Sequence, residues 1–376
     1  MPSIALVLTS RFPSEKAYAV TTLETARAAE SLDIPVQIFA PSDSRGGQVA
    51  NVTKIGNKLI RILSPLLGRF PAKLDACIFL LRRILIAAEF KRILKASNSL
   101  DMIVWTRDPI VAVMTINKNR VFLEIHNTPS RVDGLICKFL DKKLKFSVGT
   151  LTINHRDQLR EYFPSAEIAI LPMAVSDSFF LPDRHEQVRE IVGYVGKGWS
   201  SGEDNKLYEL IHSAKLVDTE VKNLVQWKFL GLESRYKSSM ELIVRGHKWK
   251  MSEFEFINHV SHDEVSNYLG DMTIGLIPYH DSPYNRQRFP IKTLEYAAAG
   301  VTILATNTPG NLSVLSSDFC YFYSPDDASS LARAILSILG DDKNRHLKRE
   351  NARNWARIHS YKARVEIVLN SVGNTK

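Results

Sequence analysis

Short runs of Val, Ile and Leu alternate along this chain with longer stretches whose apolar residues recur at helical spacing. Ile4–Leu8, Val36–Ala40, Met102–Trp105, Val121–Ile125, Gly149–Ile153 and Ile168–Leu171 are of the first kind, brief and bounded by polar or turn residues. Val20–Leu32 and Lys73–Lys95 are of the second kind. Strands alternating with helices imply a parallel sheet covered on both faces. A second series opens at Ile191–Tyr194 and continues through Trp227–Leu230, Phe254–Ile257, Ile274–Ile277 and Val301–Ala305. The pattern predicts an α/β chain of two doubly wound units, residues 1–175 and 183–357. They join within Pro172–Asp183, where Pro, Ser and Asp interrupt the periodicity. The tail, about Asp342 to Val372, reads as helical and charged, and a last helix over about 358–376 is a candidate to pack back on the first unit. Open parallel sheets bind ligands at the carboxyl ends of their strands, so two of them facing each other would leave a cleft lined by functional loops.

A length of 376 residues suits two such units, and a composition 45% apolar and 24% charged is that of a globular protein. Cys77, Cys137 and Cys320 are odd in number and far apart, which supports neither a disulfide framework nor a zinc spacing. Met1–Thr9 lacks the basic start and long apolar core of a signal peptide, and no run reaches the roughly 18–20 apolar residues of a membrane span. The expected address is cytoplasmic. Charge is unevenly placed: residues 1–170 hold 24 Lys+Arg against 15 Asp+Glu, whereas residues 171–376 hold 25 of each. Within the first half, residues 54–95 hold ten basic residues against Asp75 and Glu89. Such a field attracts phosphate-rich partners.

The densest chemistry lies in Arg286–Gly300, RQRFPIKTLEYAAAG. Pro290 fits the first turn of a helix and Gly300 its end. A helix opening after a loop rich in Arg and Lys is an anion site, because its free N–H groups and positive dipole end face the ligand. Glu295 lies one turn in, where a carboxylate can accept two hydrogen bonds from a vicinal diol such as a ribose. The plainer alternative is an exposed Glu on an amphipathic helix.

PIKTLEYAAAGVTILATNTPG resembles the donor-binding segment of the retaining GT-B glycosyltransferases of family 4. Five further segments resemble that family in the expected order: FPSEKAYAVTTLETARAAESL, FLEIHN, INHRDQLREYFPSAEIAILPMAVSDSFF, IVGYVGKGWSSGEDNKLYELIHSAKLV and FEFINHVSHDEVSNYLGDMTIGLIPY. Together they run from Phe12 to Gly310. The resemblance implies two Rossmann-like domains facing across a cleft, the first binding an acceptor and the second a nucleoside-diphosphate sugar.

Carried over residue by residue, the resemblance makes Glu295 the second acid of the E-x7-E motif, on the donor ribose. The first acid falls on Gln287, which keeps hydrogen bonding but carries no charge. Lys197 and Lys206 stand for the pyrophosphate-binding Arg and Lys, with Arg286, Arg288, Pro290, Ile291, Lys292 and Thr293 as further donor-side positions. Phe256–Val260 resembles the base pocket, and Asn258 stands there where a Gly is common. His126 matches a histidine beside the donor sugar, and the loop with Lys16, Ala17 and Tyr18 faces the acceptor without the Gly-Gly pair of many relatives. The resemblance implies retention of configuration, with the leaving phosphate assisting deprotonation of the acceptor. No Asp-x-Asp stands at a strand end, so neither metal nor cofactor is expected and cationic side chains take the diphosphate's charge.

Residues 54–95 alternate apolar clusters with Lys and Arg, split by Pro65 and Pro71. This suits contact with an anionic membrane, and few aromatics are interleaved to stack bases, which disfavours nucleic acid. The alternative is a core helix with a basic edge. The expectation is a hexosyltransferase, peripheral on the inner membrane face, serving a glycan or lipid-linked acceptor in envelope polysaccharide synthesis. Two other classes compete: a catalytically weak GT-B subunit, and a dinucleotide oxidoreductase. The latter is disfavoured because no G-x-G-x-x-G follows Ile4–Leu8.

Overall fold

A computed structural model describes residues 2–10, 12, 17–41, 60–62, 75–96, 102–182, 189–200, 203–204, 207–221, 225–246 and 253–373. It divides into two compact units, Met1–Pro172 with Tyr361–Lys376, and Met173–Ser360.

The first unit is built on a parallel sheet of β1 (Ser3–Val7), β2 (Val36–Pro41), β3 (Ile60–Ile62), β4 (Met102–Thr106), β5 (Arg120–Ile125), β6 (Phe146–Thr150) and β7 (Ile168–Ile170). Their order is β3-β2-β1-β4-β5-β6-β7. Strands β1, β4, β5 and β6 are buried on both faces because helices cover both faces. The helices are α1 (Ala17–Glu30), α2 (Asp75–Ala96), α3 (Pro109–Thr115), α4 (Arg131–Leu140) and α5 (Ile153–Leu159). The sheet order reverses between β1 and β4, the place where such folds hold ligands.

The second unit has the order β12-β11-β8-β13-β14-β15, again all parallel. Its strands are β8 (Glu190–Val195), β11 (Val225–Leu230), β12 (Phe254–Ile257), β13 (Ile274–Ile277), β14 (Thr302–Thr306) and β15 (Cys320–Tyr323). A short hairpin, β9 (Trp199–Ser200) and β10 (Glu203–Asp204), follows β8. Its helices are α6 (Tyr208–Val221), α7 (Ser234–Gly246), α8 (His262–Leu269), α9 (Ile291–Ala298), α10 (Pro309–Leu312), α11 (Ala328–Leu339) and α12 (Asp342–Ile358).

Two local expectations are corrected, and the last helix of the tail is given its bounds. The apolar run at Gly149–Ile153 is not one strand: β6 ends at Thr150, and Thr152 caps α5 by accepting from His155 N. The charged tail is two helices, because His359 leaves helical geometry (φ −101°, ψ 50°) after α12. The chain then restarts as α13 (Tyr361–Gly373), which packs on α1 and belongs to the first unit. Strands β3 and β15 stand where no strand is expected from periodicity. β15 is only half-buried at Tyr321 and Phe322, so its apolar signal is weak.

Candidate functional site

In the second unit, the chain leaving β13 turns through residues 278–290 and enters α9. Pro290 sits one position earlier than expected. It is the extended N-cap residue (φ −75°, ψ 93°), and its carbonyl accepts from both the backbone N–H (2.9 Å) and the hydroxyl (2.6 Å) of Thr293. Gly300 closes the helix with φ +70°, a conformation glycine enters freely. The helix is fixed by its own core face: Tyr296 Oη accepts from Val195 N at the end of β8 (3.0 Å). Gly275 on β13 makes room for that ring, since a Cβ there would lie 2.6 Å from it. This ties the second half of α9 to the carboxyl end of β8, just before Lys197.

Glu295 is 2% exposed, so the plainer reading of a solvated glutamate does not apply. Lys292 Nζ donates to one carboxylate oxygen (2.9 Å), and His262 Nε2 lies 3.3 Å from the other. Burial pushes the carboxyl pKa up, but the Lys292 and His262 charges and hydrogen bonds outweigh it, so Glu295 is held below the usual carboxylate range. His262 was not singled out by sequence. It opens α8 behind a Ser261–Glu264 capping box, and its ring packs on Phe179 (5.2 Å). The S-x-x-E box was readable, but the pairing across 33 positions was not.

The other donor-side positions sort themselves. Arg286 is held by Asp281 through two hydrogen bonds (2.7 and 2.6 Å). Arg288 lies over the Tyr279 ring at 4.2 Å and the Tyr284 ring at 5.8 Å, a cation–π cradle two residues before Pro290. Gln287 is half-buried, its N–H on Tyr284 O (3.2 Å). Ile291 and Val260 are half-buried, and Thr293 is fully buried. Lys197 is exposed and precedes Gly198, whose φ of +82° turns the chain after β8. Lys206 and Lys16 lie outside the described residues. Ala17 begins α1, and half-buried Tyr18 follows, its carbonyl accepting from the Thr22 hydroxyl (2.8 Å).

In the first unit, His126 follows β5 and is 21% exposed. Two residues earlier on the same side of the strand is Glu124, 2% exposed and not foreseen as a site residue. Its carboxylate accepts from Trp105 Nε1 (2.8 Å), Arg107 (3.2 Å) and Arg364 (2.7 Å), and His126 Nε2 lies 2.5 Å away. A lone Glu in the buried strand RVFLEI was the available signal, because buried charges are paired. Burial favours the neutral acid, but Arg107, Arg364 and His126 together hold Glu124 well below the usual carboxylate range. For His126, burial and the neighbouring Arg107 charge outweigh the pull of Glu124 and lower its pKa to about 4. An ionised Glu124 can only accept, so the proton of neutral His126 sits on Nε2 and leaves Nδ1 as an acceptor. Glu124 and Arg107 also line a cavity of about 30 Å³ at the carboxyl ends of β1 and β4, with Leu8, Thr21, Thr22 and Thr25 around it.

The basic segment is described only at 60–62 and from 75 onward, so Pro65, Pro71 and most of residues 54–74 lie outside the described residues. In α2, Ile86, Ala87, Phe90 and Leu94 face the core. Arg83 is turned inward, bonded to Asp108 (2.7 and 2.9 Å) and Asp133 (2.6 Å), and Arg92 is paired with Glu89. Among the described residues, no helix is long and apolar enough to cross a membrane. Among them, too, no group of three or more His, Cys, Asp and Glu could hold a metal ion.

Residues 200–355 match the family described as Glycosyl transferases group 1. A stretch of 94 residues is 34% identical to TuaH of Bacillus subtilis (strain 168), described as a teichuronic acid biosynthesis glycosyltransferase. That stretch covers 24% of this chain and 23% of TuaH. Over 99% of each chain, the fold is similar to that of a glycosyltransferase from Rickettsia africae ESF-5, with 18% identity and a TM-score of 0.72. Over the full length of both chains it is similar to S. aureus TarM, solved as a point mutant with Fondaparinux, alpha-GlcNAc-glycerol and UDP, with 12% identity and a TM-score of 0.72. The chain therefore has the GT-B glycosyltransferase fold of two Rossmann-like domains, and its second domain carries a match to the group 1 glycosyl transferases.

Proposed function

We propose that this protein is a retaining glycosyltransferase that moves a hexose from a nucleoside-diphosphate donor to a glycan or lipid-linked acceptor at the cytoplasmic face of a membrane, in envelope polysaccharide synthesis. The observation that carries the reading is Glu295: a buried, ionised carboxylate one turn inside a helix whose start is flanked by Lys292 and Arg288. The group 1 match covers that helix. The similarity to TuaH and TarM supports an envelope polymer as the product's destination.

In this reading the ribose diol donates to Glu295, taking the place of the longer His262 contact, and Lys292 keeps the carboxylate ionised. The diphosphate lies against the N–H groups of Ile291 and Lys292, the first two of α9, since that of Thr293 is taken by the Pro290 carbonyl. Lys197 and Arg288 supply the remaining positive charge, and no metal or cofactor is required. His126 accepts a hydrogen bond from a donor-sugar hydroxyl through Nδ1 and so orients the reacting carbon. The departing phosphate takes the acceptor's proton.

The test is a thermal-shift panel of nucleoside-diphosphate sugars on the whole chain. One donor is expected to raise the melting temperature, and Glu295→Ala to abolish the rise. If no nucleotide binds the wild type, the enzymatic reading falls. Gln287 in place of an acid favours a second reading, a weakly active subunit that binds nucleotide or glycan. Donor hydrolysis by the purified chain separates the two.

A further inference from the structure

Helix α4 is apolar on two faces. Gly134, Cys137 and Leu140 form the buried face, and Gly134 has no side chain because Tyr162 fills the space where a Cβ would be. The opposite face presents Val132 (49% exposed), Leu135 (71%) and Phe139 (52%) to solvent at helical spacing. The loop after α4 continues the patch: Lys143 Nζ lies 4.3 Å over the Phe139 ring, and the next residue, Leu144, is 78% exposed. Exposed apolar side chains are ordinary singly, but four on one helix face and its adjoining loop need a partner.

The charges around the patch say which partner. From Arg131 to Lys145 the chain carries five basic residues and two acids, Asp133 and Asp141. Both acids are occupied by the protein. Asp133 bonds Arg83, and Asp141 is buried, accepting from Ser165 N and Ala166 N. Arg131, Lys138, Lys142 and Lys145 are exposed. Within this segment the outward face is an apolar strip whose exposed charges are all cationic, and their aliphatic stems can lie along the strip while the charges reach headgroups.

We propose that this face, α4 with Leu144, docks the protein on a bilayer rich in anionic phospholipid, with Leu135, Phe139 and Leu144 entering the acyl boundary. The inference rests on the membrane half of the proposed function and not on the donor half. It adds a contact to the one expected at residues 54–95, where α2 also exposes Phe79, Leu81, Ile84 and Leu85 while Arg83 is spent inside the fold.

The test is co-flotation of the whole chain with vesicles of phosphatidylcholine alone, or mixed with phosphatidylglycerol at about 2:1. The wild type is expected on the mixed vesicles only. Lys138→Glu with Lys142→Glu should weaken binding about 30-fold or more, and Leu135→Ser with Phe139→Ser about 10-fold or more. All four positions are exposed, so melting temperatures should hold, and donor-induced thermal shifts should be unchanged. Equal binding by wild type and both variants overturns the proposal. Loss of binding only on substituting Lys54 and Lys58 overturns it while leaving a membrane-bound enzyme intact. A wild type that ignores vesicles overturns it too, as does one that dimerises through Leu135 and is made monomeric by Leu135→Ser.

Discussion

Arg364, on the last helix of the chain, donates to the carboxylate of Glu124 on a central strand at 2.7 Å, with both side chains 2% exposed. The same guanidinium reaches the carbonyl of Leu171 (3.0 Å) and that of Pro172. One cation thus fastens α13 into the first unit and neutralises the carboxylate that holds His126. Removing one partner of a buried pair leaves the other charge uncompensated. Arg364→Met is expected to lower stability by about 3–5 kcal/mol in denaturant unfolding, and adding Glu124→Gln should recover part of the loss. Stability equal to the wild type in Arg364→Met would show that the pair is solvated.

Glu295→Gln keeps the shape of the side chain but loses the charge. A hydrogen bond to a charged group is worth about 1.5–3 kcal/mol, so donor affinity by calorimetry should fall about 10- to 100-fold. Lys292 and His262 would lose their ionised partner at the same time. An unchanged dissociation constant would remove Glu295 from the donor site.

His126 should act as a neutral acceptor across the physiological range. Its pKa is lowered to about 4 against an ordinary value of 6.5. Donor binding and turnover are therefore expected to show no inflection near pH 6.5 from this residue and to decline only toward pH 4. The sign for stability follows: between pH 6.5 and 4 the unfolded chain takes up a proton that the folded chain refuses. Stability is lost as pH falls through that window, and His126→Asn should lessen the loss. A turnover profile falling with a midpoint near 6.5 that His126→Asn abolishes would contradict this.

Gly310 lies in α10, the short helix after β14, and a Cβ there would meet the Asn285 carbonyl oxygen at 2.2 Å. Backbone, not a movable side chain, stands in the way. Gly310→Ala is expected to push residues 285–286 out of place and destabilise the chain by about 1–3 kcal/mol. It should also weaken donor binding, because the displaced turn leads directly into Arg288 and Pro290. Melting temperature and donor affinity, measured together, check both effects.

The architecture was legible because its signal is local. A strand covered on both faces is mostly apolar, so β1, β4, β5, β8 and β13 announce themselves within four to six residues. The run Arg286–Gly300 is likewise a local message of loop, helix start and glycine stop. The half-buried β15 and the three-residue β3 carry too little apolar contrast to be read. Helix α12 is charged along its length and α13 is mostly apolar, and the break at His359 follows from where each packs.

What the sequence alone determined is therefore the order of strands and helices and the residue types at the start of α9. Only the tertiary structure decided which charges are spent. It turned Arg83 inward, closed Arg286 onto Asp281, and brought Arg364 to Glu124 across 240 positions. It left the α4 lysines facing solvent while Asp133 and Asp141 were drawn in. The reason is physical: hydrophobic periodicity is a property of neighbours along the chain, whereas the fate of a charge depends on which distant group arrives to neutralise it once water is excluded.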